Sequence, residues 1–259
     1  MELLVIKLGL PTLLIGSASL AARRWGSAIG GWLVGLPLTS GPVILFLTLQ
    51  YGNAFAARAA HGIVLGLIST AAFCVVYAAI ARRASWPWCW LGSWIAFAIC
   101  TGALNGIAFS AAGSFLAAIA ALAAALPFLP AGRGPFRQIE APWWETPLRM
   151  LSTAAIVVVL TGVAGVLGPH LSGLVTPAPV AGTIMAVFTH RLEGAQAAVR
   201  LLRGFVAGNF AFAAFFLVIA TRLTAWGLVP TFGAAILAAC AVQGLALLFL
   251  RPSVTEPLD

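Results

Sequence analysis

Residues 52–76 read GNAFAARAAHGIVLGLISTAAFCVV, and residues 194–218 read GAQAAVRLLRGFVAGNFAFAAFFLV. Laid over each other at a shift of 142 positions, without a gap, the two stretches agree at ten of 25 places. Gly52, Ala56, Arg58, Gly62, Val64, Gly66, Ala71, Ala72, Phe73 and Val76 meet Gly194, Ala198, Arg200, Gly204, Val206, Gly208, Ala213, Ala214, Phe215 and Val218. In a chain this rich in Ala and Gly, composition alone would match about a tenth of positions. The matched Gly and Arg weigh most, because both are costly to place in an apolar helix. The same shift sets Lys7 on Arg149, Ala22 on Ala164, Gly26 on Gly168, Gly31 on Gly173, Pro37 on Pro179 and Phe46 on Phe188. Further on it sets Ala96 on Ala238 and Gly102 on Gly244. The sequence therefore reads as an internal repeat, and a repeat decides the architecture.

The solvent for this architecture follows from composition. Of 259 residues, 62% are hydrophobic and 8% are charged, with mean hydropathy +1.06. A water-soluble surface needs roughly 25–35% charged residues, so the bilayer is the solvent and a soluble enzyme is excluded. Disorder is excluded as well, since it requires low hydrophobicity and high charge. A hydrocarbon core of about 30 Å needs some 20 apolar residues per helix. On that ruler the sequence predicts nine spans, near 3–22, 27–50, 57–81, 86–104, 106–129, 148–168, 171–189, 199–221 and 225–250. MELLVIK carries Glu2 where a signal peptide would be basic, and reads as the start of the first span. The four cysteines lie in apolar runs without CxxC spacing and read as packing residues.

The net charge of +8 would suggest nucleic acid in a soluble protein, but here it reads as membrane orientation. The odd-numbered connections and the C-terminus hold Arg23, Arg24, Arg82, Arg83, Arg133, Arg137, Arg149, Arg191, Arg200, Arg203 and Arg251. The other side holds Lys7, Arg58 and Arg222. This asymmetry predicts a multi-pass protein of the cell (inner) membrane with a cytoplasmic C-terminus and no nucleic-acid partner. The shift of 142 carries spans one to four onto spans six to nine. Five spans separate each pair, so partners cross in opposite directions and span five is the connector. The expected fold class is an all-α polytopic membrane protein of about nine transmembrane helices, built as two inverted four-helix repeats joined by a linker helix. Repeat one covers 1–105, the linker span and its polar loop 106–146, and repeat two with the C-terminal tail 147–259.

Inverted repeats characterise secondary transporters, whose substrates sit near the midplane at paired discontinuous helices. Spans two and seven fit. The centre of span two is Gly35-Leu-Pro37-Leu-Thr39-Ser40-Gly41-Pro42, and that of span seven is Thr176-Pro177-Ala-Pro179-Val-Ala-Gly182-Thr183. Pro37, Pro42, Pro177 and Pro179 would break the helices. The freed backbone must then face protein or a wet cavity. Thr39 or Ser40 before Gly41-Pro42, and Thr176 before Pro177, read as N-caps with proline in the first turn. The expected substrate contacts are Thr39, Ser40, Gly41, Thr176, Gly182 and Thr183, at two helix N-termini suited to an anion or an oxygen-rich group.

Other polar residues carry plainer readings. Asn105, Asn209 and Gln243 read as interhelical hydrogen-bonding groups, and Arg58 and Arg200 as side chains reaching for the interface. Gly62, Gly66, Gly204 and Gly208 read as small residues that admit tight helix contact. His61, His170 and His190 have no metal-ligand spacing, so no metal or other cofactor is expected. All six acids, Glu2, Glu140, Glu145, Glu193, Glu256 and Asp259, lie in tails or loops. A carboxylate proton relay within the membrane is thus disfavoured. No nucleotide-binding or hydrolase motif occurs, so no enzyme is expected.

The functional expectation is a secondary transporter moving a small polar or anionic solute by alternating access. The alternatives are a lipid or lipid-phosphate translocase, in which a lipid headgroup is the substrate, and a non-transporting subunit of a membrane complex. The lipid bilayer is the expected surrounding partner, and a homo-oligomer is compatible with the sequence.

Overall fold

A computed structural model describes residues 40–107, 109–130 and 145–249, together with Gly9, Leu13 and Pro37. Spans one and most of two, Thr39, Pro37's flanking residues 33–36 and the loop 131–144 lie outside the described residues. The described chain is all-helical: α1 Ser40–Tyr51, α2 Asn53–Ala81, α3 Trp86–Asn105, α4 Ala111–Ala125, α5 Glu145–Val175, α6 Val180–Glu193, α7 Ala195–Trp226 and α8 Leu228–Phe249. A 3-10 turn, Leu126–Phe128, closes α4. Among the described residues, five helices are long and apolar enough to cross a membrane: α2, α3, α4 with its closing turn, α7 and α8. The protein is thus a helical membrane protein.

α2, α3 and α8 are apolar around their whole circumference, as expected for segments buried in protein or lipid. Core and periphery separate by burial. Most of α2's apolar length is buried, whereas α3, α4 and α8 are buried along only a minor share. Ile99, Leu116, Val229 and Leu237 stand out from them as exposed apolar side chains, a natural surface toward lipid. α2 packs on α7, α3, α5 and α4, and α7 in turn on α8 and α6. At the centre lie Phe73, Tyr77 and Phe216, all fully buried.

The joints between helices recur at the shift seen in the sequence. α1 ends at Tyr51 and α6 at Glu193; α2 begins at Asn53 and α7 at Ala195; α3 begins at Trp86 and α8 at Leu228. Between the first two pairs stand Gly52 (φ 82, ψ 170) and Gly194 (φ 88, ψ 173). That backbone region is essentially restricted to glycine, which is why a glycine occupies both corners. Gly52→Ala and Gly194→Ala are each expected to cost about 1–3 kcal/mol by the same backbone strain. Thermal unfolding of the two variants in detergent should show shifts of similar size, and a silent variant at either corner would contradict this account.

α2 and α7 run antiparallel. At one end the Asn53 amide Nδ2 donates to the Leu223 carbonyl at 3.3 Å. Toward the other end Ala78 and Ala81 line a pocket with Ala195 and Val199. Leu67, the midpoint of α2, is therefore level with Asn209, close to the middle of α7. The connections sort onto two faces in the same way. Tyr51, beside Gly165, belongs with Asn53 and Leu223 on one face. On the other, Arg191 lies over the Trp86 ring at 5.8 Å. There also Arg203 Nη1 donates to the Leu126 and Leu129 carbonyls at 2.9 and 2.6 Å. Arg203 thereby takes up the Leu129 carbonyl and shares the Leu126 carbonyl with the Leu129 N–H, where α4 ends. Its role is not visible in the sequence, because its partners are more than 70 positions away.

Candidate functional site

The site grows from α5. At Gly168 the backbone leaves the helical region (φ 74, ψ 170), and Pro169 opens a final short stretch that runs to Val175. This stretch crosses α2 with almost no space between the backbones. A Cβ at Gly62 would lie 2.5 Å from the His170 carbonyl oxygen and 3.1 Å from the Gly173 Cα. A Cβ at Gly173 would collide with the Ala59 carbonyl oxygen and lie 2.8 Å from the Gly62 Cα. One turn along α2, a Cβ at Gly66 would lie 2.5 Å from the Leu174 carbonyl oxygen and 2.7 Å from the Pro177 ring. One turn further, the Thr70 hydroxyl donates to the Pro177 carbonyl at 3.0 Å. Gly62, Gly66 and Thr70, spaced by four, thus form one edge of α2 that holds residues 173–177. The tight contact expected of Gly62 and Gly66 is present. At Gly204 a Cβ would meet nothing within 4 Å, so that glycine makes no such contact.

Beyond Val175 the helix stops, and α6 begins at Val180. Span seven is therefore interrupted at Thr176–Pro179, where the sequence places its prolines. The interruption faces Gly66 and Thr70, which flank the midpoint of α2, so it lies halfway along that helix. Its carbonyls are largely satisfied within protein. The Thr70 hydroxyl donates to the Pro177 carbonyl, the Val180 N–H to the Ala178 carbonyl at 2.8 Å, and the Thr183 N–H to the Pro179 carbonyl at 2.7 Å. The Gly182 N–H, in the first turn of α6, has no backbone acceptor among the described residues.

Two expected caps are corrected. Thr176 does not start α6: its hydroxyl donates back to the Ser172 carbonyl at 2.6 Å, and its N–H bonds Ser172 and Gly173. A Ser or Thr inside a helix readily bonds the carbonyl four residues earlier, so Thr176 closes the preceding helix. Pro177 consequently lies in the interruption and not in a first helical turn, and the N-cap of α6 is Pro179, without a side-chain cap. Ser40 is not an N-cap either. Ser40 is already the first residue of α1, and the Gly41 N–H bonds the Pro37 carbonyl at 2.7 Å. Pro42 follows inside α1. The bonds from Gly41 to Pro37 and from Thr183 to Pro179 are alike in length and stand 142 positions apart.

Ser40, Thr176 and Thr183 are each only 4% exposed. α1 packs on α2 and α5, and α6 on α7, α3 and α5. α1 and α6 both pack on α5, and no backbone hydrogen bond joins their starts among the described residues. Gly182, one residue before Thr183, faces the Phe205 ring, with a Cβ there 3.5 Å from the ring edge. Asn209 follows Phe205 by one turn on α7. Thr183 Oγ1 and Asn209 Nδ2 are buried with no hydrogen-bond partner. Two further orphans, Trp94 Nε1 and Thr231 Oγ1, sit on α3 and α8. Buried polar atoms without partners are uncommon and call for an explanation. The Thr183 hydroxyl stands in the first turn of α6, next to the Gly182 N–H, and the Asn209 amide lies one turn along α7 from the Phe205 ring that Gly182 faces. This arrangement offers donors and suits an acceptor-rich ligand. Among the described residues no group of three His, Cys, Asp or Glu side chains could hold a metal ion.

The chain matches no protein-family model, and no curated protein or solved structure is significantly similar to it.

Proposed function

We propose that this protein is a secondary transporter that moves a small polar or anionic solute between two inverted repeats. The observation that carries the reading is the interruption at Thr176–Pro179, held halfway along α2, with a like start at Pro37–Gly41. Interrupted helices at corresponding places in two halves are the recurring binding element of such transporters. The antiparallel course of α2 and α7 supports the inversion, and the matched joints at Gly52 and Gly194 support the repeat. Nine spans, in the cell inner membrane with the arginine-rich connections cytoplasmic, complete the proposed topology. Thr183, Gly182 and Asn209 contact the solute, with the N-terminal turn of α1 as the counterpart in the first half. Thr176 recedes in importance, because its hydroxyl already donates to the Ser172 carbonyl.

The buried state of Ser40, Thr176 and Thr183 corresponds to a form closed to both sides. Alternating access then requires position 183 to meet water from each face in turn. A cysteine at Thr183, in a background where Cys74, Cys89, Cys100 and Cys240 are replaced by alanine, tests this. A membrane-impermeant maleimide should label it from either side of oriented vesicles. Protection from both sides would identify a static packing element and defeat the transport reading.

A further inference from the structure

A second polar feature lies far from the interruption, on the face that gathers the arginine-rich connections. The C-terminal end of α2, the end of α4 and the N-terminal end of α7 enclose a pocket of about 490 Å³. Ala81, Phe128 and Pro130 form its apolar wall, and Arg82, Gln196 and Arg200 bring polar groups to it. Arg82 and Arg200 have no ion-pair partner among the described residues. The rim is built, because Arg203 pins the Leu126 and Leu129 carbonyls on either side of Phe128. The pocket also receives the start of a 32-residue helix, whose first-turn N–H groups carry partial positive charge. Two guanidinium groups, a helix start and an apolar wall at the end of spanning helices make a defined chemical preference. Guanidinium matches phosphate oxygens in pairs, and basic pockets between spanning helices suit lipid headgroups.

We infer that this pocket, formed where α2, α4 and α7 meet, binds a phosphate-bearing anion through Arg82 and Arg200. The apolar wall of Phe128 and Pro130 suits the glycerol and first acyl carbons of an anionic phospholipid, while free phosphate would use the guanidinium groups alone. The site stands apart from the interruption in span seven, so its occupancy is independent of the transport reading.

The test uses the full chain purified in an uncharged detergent, with phosphatidylglycerol, phosphatidylcholine and inorganic phosphate as separate probes. Native mass spectrometry reads retained lipid, and the unfolding midpoint reads phosphate. Phosphatidylglycerol should be retained over phosphatidylcholine, and Arg82→Gln with Arg200→Gln should weaken retention by about tenfold or more. Arg83→Gln, a neighbouring arginine that does not line the pocket, should leave retention unchanged. Arg82→Gln alone, at an exposed position, keeps the result readable if the double variant does not fold. An arginine-dependent rise in the midpoint with inorganic phosphate, equal to that with phosphatidylglycerol, would assign the site to free phosphate. Three results would overturn the inference: no retention of either phosphate probe, equal retention by the double variant, or an equal loss with Arg83→Gln.

Discussion

Gly173→Leu is expected to lower the unfolding midpoint of the detergent-solubilised protein by roughly 6–12 °C, corresponding to about 3 kcal/mol or more. The reason lies in what a Cβ would meet. At Gly173 the obstacles are the Ala59 carbonyl oxygen and the Gly62 Cα, both backbone. Backbone cannot move aside as the end of a flexible side chain can, so α2 and the end of α5 must separate. Separation would also pull the Pro177 carbonyl away from the Thr70 hydroxyl and leave a buried acceptor unpaired. Gly102→Ala supplies the opposite sign. It is exposed in the last turn of α3, where a Cβ meets nothing within 4 Å. Its higher helix propensity should stabilise by a few tenths to about 1 kcal/mol. Differential scanning fluorimetry of both variants checks the pair. If Gly173→Leu unfolds at the wild-type temperature, the close crossing is not what holds the interruption in place.

Much of this arrangement is legible in the residues themselves. Proline lacks an amide donor, so the interruption at Thr176–Pro179 announces itself, whereas most described glycines keep ordinary φ and nothing local marks Gly52 and Gly194 as corners. The four-residue spacing of Gly62 and Gly66 forecasts a close helix contact, because spacing alone places both on one face. What they contact is another matter. Gly62 meets His170 and Gly173, over 100 positions away, and no local rule selects that partner. The direction of a threonine bond is hidden too. Thr176 could cap forward or bond backward, and only the extent of the preceding helix decides for Ser172. Asn209 reads as an interhelical hydrogen-bonding residue from sequence. In the fold its amide nitrogen finds no partner, which depends on every neighbour around it.

The absence of that partner supports the second large prediction. Thr183→Val keeps the shape of the side chain and removes a buried hydroxyl that bonds nothing in the closed form. For folding alone the exchange should be neutral or stabilising by about 1 kcal/mol, since an unsatisfied buried group is removed. Asn209→Leu should behave alike at its amide nitrogen. If the two groups serve a bound solute, uptake into proteoliposomes must move the other way. Each lost hydrogen bond to an acceptor-rich solute is expected to reduce uptake by about tenfold, equivalent to about 1.4 kcal/mol, and the double variant by more. Assaying both properties over a panel of radiolabelled small anions and neutral polar solutes separates binding from scaffolding. A hydroxyl that merely fills space would give unchanged uptake in every case. A hydroxyl needed for packing would lower stability together with uptake. Only a solute contact joins undiminished stability to lost transport, because the bond is made when the solute is present and is missing from the closed form.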